Sequence, residues 1–343
     1  MRVPPRWVRR PLTLLLLAGL VVLAAALPLL LVAATVASLF VPGRWRVLRL
    51  LAFALAYLAL EITALATAFV LWVASGFGWA LRRPAFERAH YTVLRMLLAV
   101  VEALALRVFQ IRVQTDGQGW SPLDDGVPGS TNAMVVLSRH AGPGDSFLLV
   151  RTLLDRDHLR RPRIVLKEQL QWDPVVDVYL NRLPTAWIPS ESGRTDDVLV
   201  SLGTLAAGLG DQDALLIFPE GGNFTPRRRV RAIERLRADG HDQHAVLAEA
   251  MPNVLPPRPG GVQAALAAAP QADVVFVAHT GLEHLGTVRD LWAGLPMDTT
   301  LRLRWDFAPA AEVPRDPAEQ VDWLCAHWAE VDAWITEQPT GVR

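Results

Sequence analysis

Apolar residues run almost unbroken twice near the start of the chain before they begin to alternate with polar ones. Between Pro11 and Val41 no residue is charged, and between Leu50 and Leu81 the only charged residue is Glu61. Each run exceeds the roughly 20 residues that carry an α-helix across a bilayer core. A cleaved signal peptide is the alternative for the first run, but its apolar core is about twice the usual ~7–15 residues and a second run follows. Arginines flank both: Arg2, Arg6, Arg9 and Arg10 before the first, Arg44, Arg46 and Arg49 between them, Arg82, Arg83 and Arg88 after the second. The pattern predicts a transmembrane helical hairpin over residues 1–83, with crossings at 11–41 and 47–81. Two crossings put both termini on one side of a cell inner membrane, and the arginine-rich start favours the cytoplasm.

Beyond residue 83 the period changes. Phe86, His90, Val93, Leu94, Leu97, Leu98 and Val101 recur at helical spacing, which predicts an amphipathic helix over 84–113 lying against membrane or core. Residues 115–131 are rich in Gly, Pro, Ser and Asp and read as a loop or boundary. Short apolar strands at 134–138, 164–166, 214–218, 274–278 and, as an edge strand, 300–307 then alternate with helices at 147–154, 198–209, 226–238 and 262–268. A closing amphipathic helix at 317–336 places Val321, Leu324, Trp328, Val331 and Ile335 on one face. The expected fold is α/β, a sheet flanked by helices over 114–343, which with the amphipathic helix makes one domain over 84–343 behind the hairpin.

Composition narrows the function. The hydrophobic share of 52% is above the soluble norm, and the excess sits in the two apolar runs. The 34 basic and 34 acidic residues cancel, which removes any global argument for nucleic acid. Cys325 is the one cysteine, so no intramolecular disulfide can form, and this fits a reducing compartment. Of the basic residues only Lys167 is a lysine.

Two segments carry candidate chemistry. In Ser138-Arg139-His140-Ala141-Gly142-Pro143-Gly144-Asp145 the histidine follows an apolar strand, at the sheet edge where open α/β folds bind ligands. Gly-Pro-Gly cannot continue a helix but can fold a tight turn that returns the Asp145 carboxylate to the imidazole. One ring nitrogen then meets the carboxylate and the other is a base. The plainer alternative is that Asp145 caps the helix that follows. The second segment, Phe218-Pro219-Glu220-Gly221-Gly222-Asn223-Phe224-Thr225-Pro226, also joins a strand to a helix. Thr225 suits an N-cap and Pro226 a first helical turn, while Gly221 and Gly222 allow backbone amides close to a ligand. Arg227, Arg228 and Arg229 occupy the positive end of that helix, where each cation is unfavourable by ~0.3–1 kcal/mol unless an anion meets it. A solvated arginine face, or one touching lipid headgroups, is the alternative. Lys167-Glu168 ends a strand and Pro257-Arg258-Pro259-Gly260-Gly261 is a rigid turn with one arginine.

The order of these segments resembles the glycerolipid acyltransferase superfamily, in its 1-acylglycerol-3-phosphate and lysocardiolipin acyltransferase branch. The family carries His-x4-Asp, then a Lys-Glu motif, then Phe-Pro-Glu-Gly with Phe-Thr close behind, then Leu-Pro-Arg followed by Gly. All four occur here in order, across about residues 84 to 335. The resemblance implies that His140 deprotonates the acceptor hydroxyl, that Asp145 orients it, and that Lys167, Glu220, Gly221 and Arg258 bind substrate, to which the glycine turn and the helix start add Gly222 and Arg227. It implies a lysophospholipid acceptor, with acyl-CoA or acyl carrier protein as co-substrate and no metal or other cofactor. The chain departs from the pattern at Arg139 and Ser146, where the family has Asn and Trp, and at Gly222-Asn223, where it has Thr-Arg. The first pair is expected to retune the pocket. The second removes an arginine used near the acceptor phosphate, so the arginines at 227–229 are expected to replace it.

Other chemistries fit less well. No Gly-x-Ser-x-Gly elbow exposes a serine nucleophile, and the one lysine is not in a phosphate-binding Gly-x4-Gly-Lys loop. His241 and His244 lie in a polar segment read as a surface loop, without a partnering cysteine, and His279 reads as a structural histidine at a strand end. A non-catalytic lipid-binding membrane protein is the alternative of another class, and the separation of His140 and Asp145 discriminates between the two.

Overall fold

The computed structural model describes residues 4–115, 132–142, 144–155, 160–188, 195–281, 283 and 292–339. Contacts divide the chain into two compact units. One comprises Met1–Arg112, Leu166–Ser192 and Trp292–Asp298, and the other Val113–Val165, Gly193–Leu291 and Thr299–Arg343.

The first unit is mainly helical, with α1 (Arg6–Phe40), α2 (Arg46–Ala74), α3 (Pro84–Phe109), a 3₁₀ turn at Glu168–Trp172, α5 (Pro174–Leu180) and the short strand β4 (Thr185–Ile188). The sequence pattern assigns no element to residues 168–188, yet α5 has a legible start. Asp173 accepts from the Val176 amide at 2.9 Å and Pro174 takes the first helical position. α2 turns Glu61, Ala64 and Ala68 to the interior, one helical stripe whose small alanines let α5 approach closely. Tyr179, fully buried, donates to the Ala64 carbonyl at 3.0 Å, and Arg182 donates to the Ala68 carbonyl at 2.8 Å. Tyr57 meets Asp173 at 3.2 Å, and Arg9 grips Asp177 at 2.7 Å and Gln171 at 2.9 Å.

Among the described residues α2 is the one helix long and apolar enough to cross a membrane, and residues Ala25–Phe40 form a shorter apolar stretch. The second run ends earlier than the expected residue 81. Gly76, Phe77 and Gly78 all take left-handed backbone (φ 71°, 56° and 98°), which stops α2 and makes residues 75–83 a string of turns. Phe77 and Trp79 are exposed there, with the Arg83 guanidinium 4.4 Å over the Trp79 ring.

The second unit is α/β. Its strands β1 (Arg112–Thr115), β2 (Met134–Ser138), β3 (Arg161–Lys167), β5 (Asp213–Ile217), β6 (Asp273–Thr280) and β7 (Thr300–Ala308) lie in the order β1-β7-β6-β2-β5-β3. β2 runs parallel to both β5 and β6, with Val135 opposite Leu215 and Val274. These central strands are buried on both faces, which is why they read as continuous apolar stretches rather than alternating ones. The strand at 300–308 is not the edge as expected; it pairs antiparallel with β6 and has β1 beyond it. The cause is local. α3 ends at Phe109 because Gln110 is left-handed (φ 56°), which frees residues 112–115 to extend.

Helices α4 (Asp145–Leu153), α6 (Thr195–Ala207), α7 (Pro226–Ala238), α8 (Asp242–Glu249), α9 (Pro259–Ala268) and α10 (Pro317–Glu337) complete this unit. The stretch with His241 and His244, expected as a surface loop, forms α8 instead, and His244 lies 3.4 Å from Asp322 of α10. α10 buries Leu324, Trp328, Val331, Trp334 and Ile335 in a core shared with Val135, Leu215, Val274 and Phe276. Trp328 donates its ring N–H to the Leu255 carbonyl at 3.1 Å and so holds the turn that leads to Arg258.

Candidate active site

β2 delivers the chain to the sheet's carboxyl edge at Ser138, and β5 does the same at Ile217. Gly144, at φ 101°, then reverses the chain so that α4 begins at Asp145. Asp145 is 1% exposed and its carboxylate is saturated with donors. Oδ2 accepts from His140 Nδ1 at 2.8 Å, the Ala141 amide at 3.0 Å and the Gly142 amide at 3.2 Å. Oδ1 accepts from the Ser146 amide at 2.6 Å and its hydroxyl at 3.3 Å. Asp145 engages the imidazole and is not the helix cap of the plainer alternative: Gly144 holds the N-cap position without a side-chain cap bond, and Asp145 lies in the first turn of α4, where the helix dipole favours an anion. Burial pushes its pKa up, but the His140 hydrogen bond, the two neighbouring imidazoles and the Gly142 amide outweigh burial and hold it below the usual carboxylate range. An ionised carboxylate only accepts, so Nδ1 of His140 carries the hydrogen and Nε2 is left to take a proton.

The His140 ring stacks on Phe218, 4.4 Å between centroids, and the His140 carbonyl accepts from the Phe224 amide at 2.7 Å. These contacts tie the 140–145 turn to the loop after β5. In that loop Gly221 is left-handed (φ 69°), and its amide donates to the Phe218 carbonyl at 3.0 Å. The Arg258 amide donates to the Pro219 carbonyl at 2.8 Å, which brings the two loops together. A Cβ on Gly221 would stand 3.2 Å from Arg258 Cζ, and one on Gly222 would stand 2.9 Å from Arg228 Nη1. Consecutive glycines therefore lie against two guanidinium groups. Partial burial and the like charges of Arg235 and Arg228 draw the Arg258 pKa down, an arrangement that an anion would relieve.

The arginine trio divides. Arg228 donates to the Asn223 carbonyl at 3.0 Å beside the glycine turn, and Thr225 caps α7 by accepting from the Arg228 amide at 3.2 Å. Arg229 instead closes the end of α8, donating to the carbonyls of Met251, Ala248 and Glu249 at 2.8–3.0 Å. Arg227 is exposed. Lys167 is exposed at the end of β3 and falls in the first unit.

Glu220 differs from a residue poised on solvent. It is 2% exposed, and among the described residues neither carboxyl oxygen meets hydrogen-bond geometry. Burial pushes its pKa well above the usual range, opposed by the charge of Arg139 and the nearby amides of His140 and Leu255.

Arg139, His279 and Glu283 were not singled out by the motifs. The Arg139 side chain is buried and donates to the carbonyls of Asn253 at 2.7 Å and His279 at 2.7 Å and to Glu283 Oε1 at 2.5 Å. It also lies 5.7 Å from the Phe224 ring. The signal was present in the sequence as an arginine where the resembled family has asparagine. Among the described residues no group of three or more His, Cys, Asp or Glu side chains could hold a metal ion.

An imidazole fixed by a buried carboxylate at the edge of a parallel sheet has the geometry with which a proton can be removed from a hydroxyl. Residues 124–280 match the family model described as Acyltransferase. Over those residues the chain is similar to an acyltransferase domain, the kind that transfers acyl groups. The crystal structure of the 1-acyl-sn-glycerophosphate (LPA) acyltransferase PlsC from Thermotoga maritima is similar to it at 15% identity and a TM-score of 0.48, covering 84% of this chain and 99% of that one. No curated protein shows a significant match.

A carboxyl whose pKa burial raises is closely imitated by an amide. Glu220→Gln is expected to fold and to keep kcat/KM within about tenfold of wild type, whereas Glu220→Ala loses more through the cavity it leaves. Steady-state kinetics together with thermal melts of both variants check this.

Proposed function

We propose that the enzyme transfers a fatty acyl group from a thioester, acyl-CoA or acyl carrier protein, to the hydroxyl of a lysophospholipid. The foremost acceptor is 1-acyl-sn-glycerol-3-phosphate, which gives phosphatidic acid. The observation that carries this reading is the 2.8 Å bond between His140 Nδ1 and Asp145. Nε2 takes the hydroxyl proton as the oxygen attacks the thioester carbonyl. The tetrahedral intermediate collapses, the carbon–sulfur bond breaks, and the imidazolium returns its proton to the departing thiolate. Asp145 stabilises the imidazolium in between. The non-catalytic alternative has no use for this pairing.

The acceptor phosphate is met by Arg258 and by Arg228, which takes over from the arginine absent at position 223. This is supported by their shared contact with the Gly221-Gly222 turn and by the absence, among the described residues, of an ion pair to either. A larger phosphodiester headgroup, as in lysophosphatidylglycerol, lysophosphatidylinositol or lysocardiolipin, is the alternative acceptor. Residues 11–41 and 46–74 anchor the enzyme as a hairpin with both termini in the cytoplasm. That reading is supported by α2, by the exposed Phe69, Val70 and Val73 on it, and by Trp45 and Trp79 beside arginines at its two ends.

His140→Ala is expected to lower kcat by ~10²–10⁴ with membrane binding intact, and retention of more than about a tenth of kcat would remove histidine from the base role. Arg258→Ala is expected to weaken use of lysophosphatidic acid roughly 10- to 150-fold with little change in the donor KM. Comparable kcat/KM for an uncharged monoacylglycerol in the wild type would refute the phosphate grip. Single cysteines at positions 3 and 340 are expected to label from the same side of sealed vesicles. Labelling from opposite sides excludes the hairpin.

A further inference from the structure

Asp145 lies between two histidines. His140 Nδ1 is 2.8 Å from Oδ2, and His279 Nε2 is 3.9 Å from the same oxygen. Only the first is a hydrogen bond. His279, 1% exposed near the end of β6, directs Nε2 to the Arg139 carbonyl at 2.9 Å. A carbonyl only accepts, so Nε2 carries the hydrogen. The other ring nitrogen, Nδ1, is buried and has no partner among the described residues. Protonating His279 would put a second hydrogen where no acceptor waits and a charge where water is absent.

Arg139, Asp145 and Glu283 are the charged groups that act on this ring. Burial and then Arg139 pull the His279 pKa down, the two carboxylates oppose them, and the net direction is down. Glu283 is itself committed: burial raises its pKa, but the Arg139 guanidinium outweighs this and brings it to about 2. Arg139 thus faces His279 three times. Its carbonyl accepts from the ring, its guanidinium donates to the His279 carbonyl at 2.7 Å, and its charge disfavours a second cation.

We propose that Arg139 is a positioning residue for acyl transfer: it keeps His279 a neutral neighbour bonded to its own carbonyl, and so reserves the Asp145 carboxylate for His140. This rests on His140 being the base. A protonated His279 would bring a second positive charge 3.9 Å from Oδ2, repel the imidazolium of His140 and weaken the support that Asp145 gives it. Removing the arginine charge raises the proton affinity of His279, so the loss of activity falls on the acid side.

The test is the pH profile of kcat for the full-length enzyme in lipid vesicles. Arg139→Gln is expected to stay within a few-fold of wild type near pH 8 but to drop about tenfold below it near pH 6, with acceptor KM little changed. Arg139→Lys, which keeps the cation, is expected to keep the wild-type profile. His279→Asn added to Arg139→Gln is expected to restore the activity lost near pH 6. A normalised Arg139→Gln profile that superimposes on the wild type, or failure of His279→Asn to restore it, overturns the proposal. If Arg139→Gln does not fold, nitrogen-15 histidine spectra of the wild type decide. His279 is expected to stay neutral at pH values where a free imidazole, about 6.5, is already protonated, and its protonation there overturns the proposal. These outcomes leave the role of His140 untouched, since that role fails only if His140→Ala retains turnover.

Discussion

The Asp145 carboxylate is the point on which the second unit's chemistry turns. An anion so fully removed from water is tolerable only when its oxygens are met by donors. Here the donors come from the turn that the anion itself organises: the amides of Ala141, Gly142 and Ser146, and the ring of His140. The backbone around His140 and the charge beside it are therefore one structure, in which neither can shift alone. Because Asp145 also opens α4, the orientation of that helix on the sheet transmits directly to the imidazole.

Around this pair the loops are held by buried polar contacts rather than by apolar packing. Arg139 reaches Asn253, His279 near the end of β6 and Glu283 beyond it, and the Phe224 amide holds the His140 carbonyl. Such a network gives a fixed geometry but makes each member costly to lose, since a partner left behind is a buried group without a bond. The glycine turn contrasts with it. Gly221 and Gly222 present almost bare backbone to Arg258 and Arg228, so cationic surface lies against the turn.

Legibility in the sequence followed the range of the interactions. Strands β2, β5 and β6 were readable because burial on both faces leaves an apolar run, and α7 was readable to the residue because Thr225 and Pro226 mark its start. The pairing of His140 with Asp145 was readable because both lie in one short turn. The interior place of β7 was not, since it depends on where α3 stops, and that is decided by one left-handed glutamine. The division of labour among Arg227, Arg228 and Arg229 was equally hidden. Three adjacent arginines look alike in sequence, but successive helix positions point about 100° apart, and only α8 determines that Arg229 is occupied. Arg139 was visible only as a departure, because its partners are more than a hundred residues away in the chain.

The stripe on α2 bears on how the enzyme can be handled. Tyr57, Ala64 and Ala68 of that apolar helix receive Asp173, Tyr179 and Arg182, residues that lie far along the chain, between β3 and α6. Trimming the hydrophobic start to obtain a water-soluble fragment would strip α5 of these partners and leave a phenol, a guanidinium and a carboxylate to find water in the middle of the remaining polypeptide. Residues 46–74 are in that sense a wall of the segment at 166–192, and a fragment without them leaves that segment incomplete.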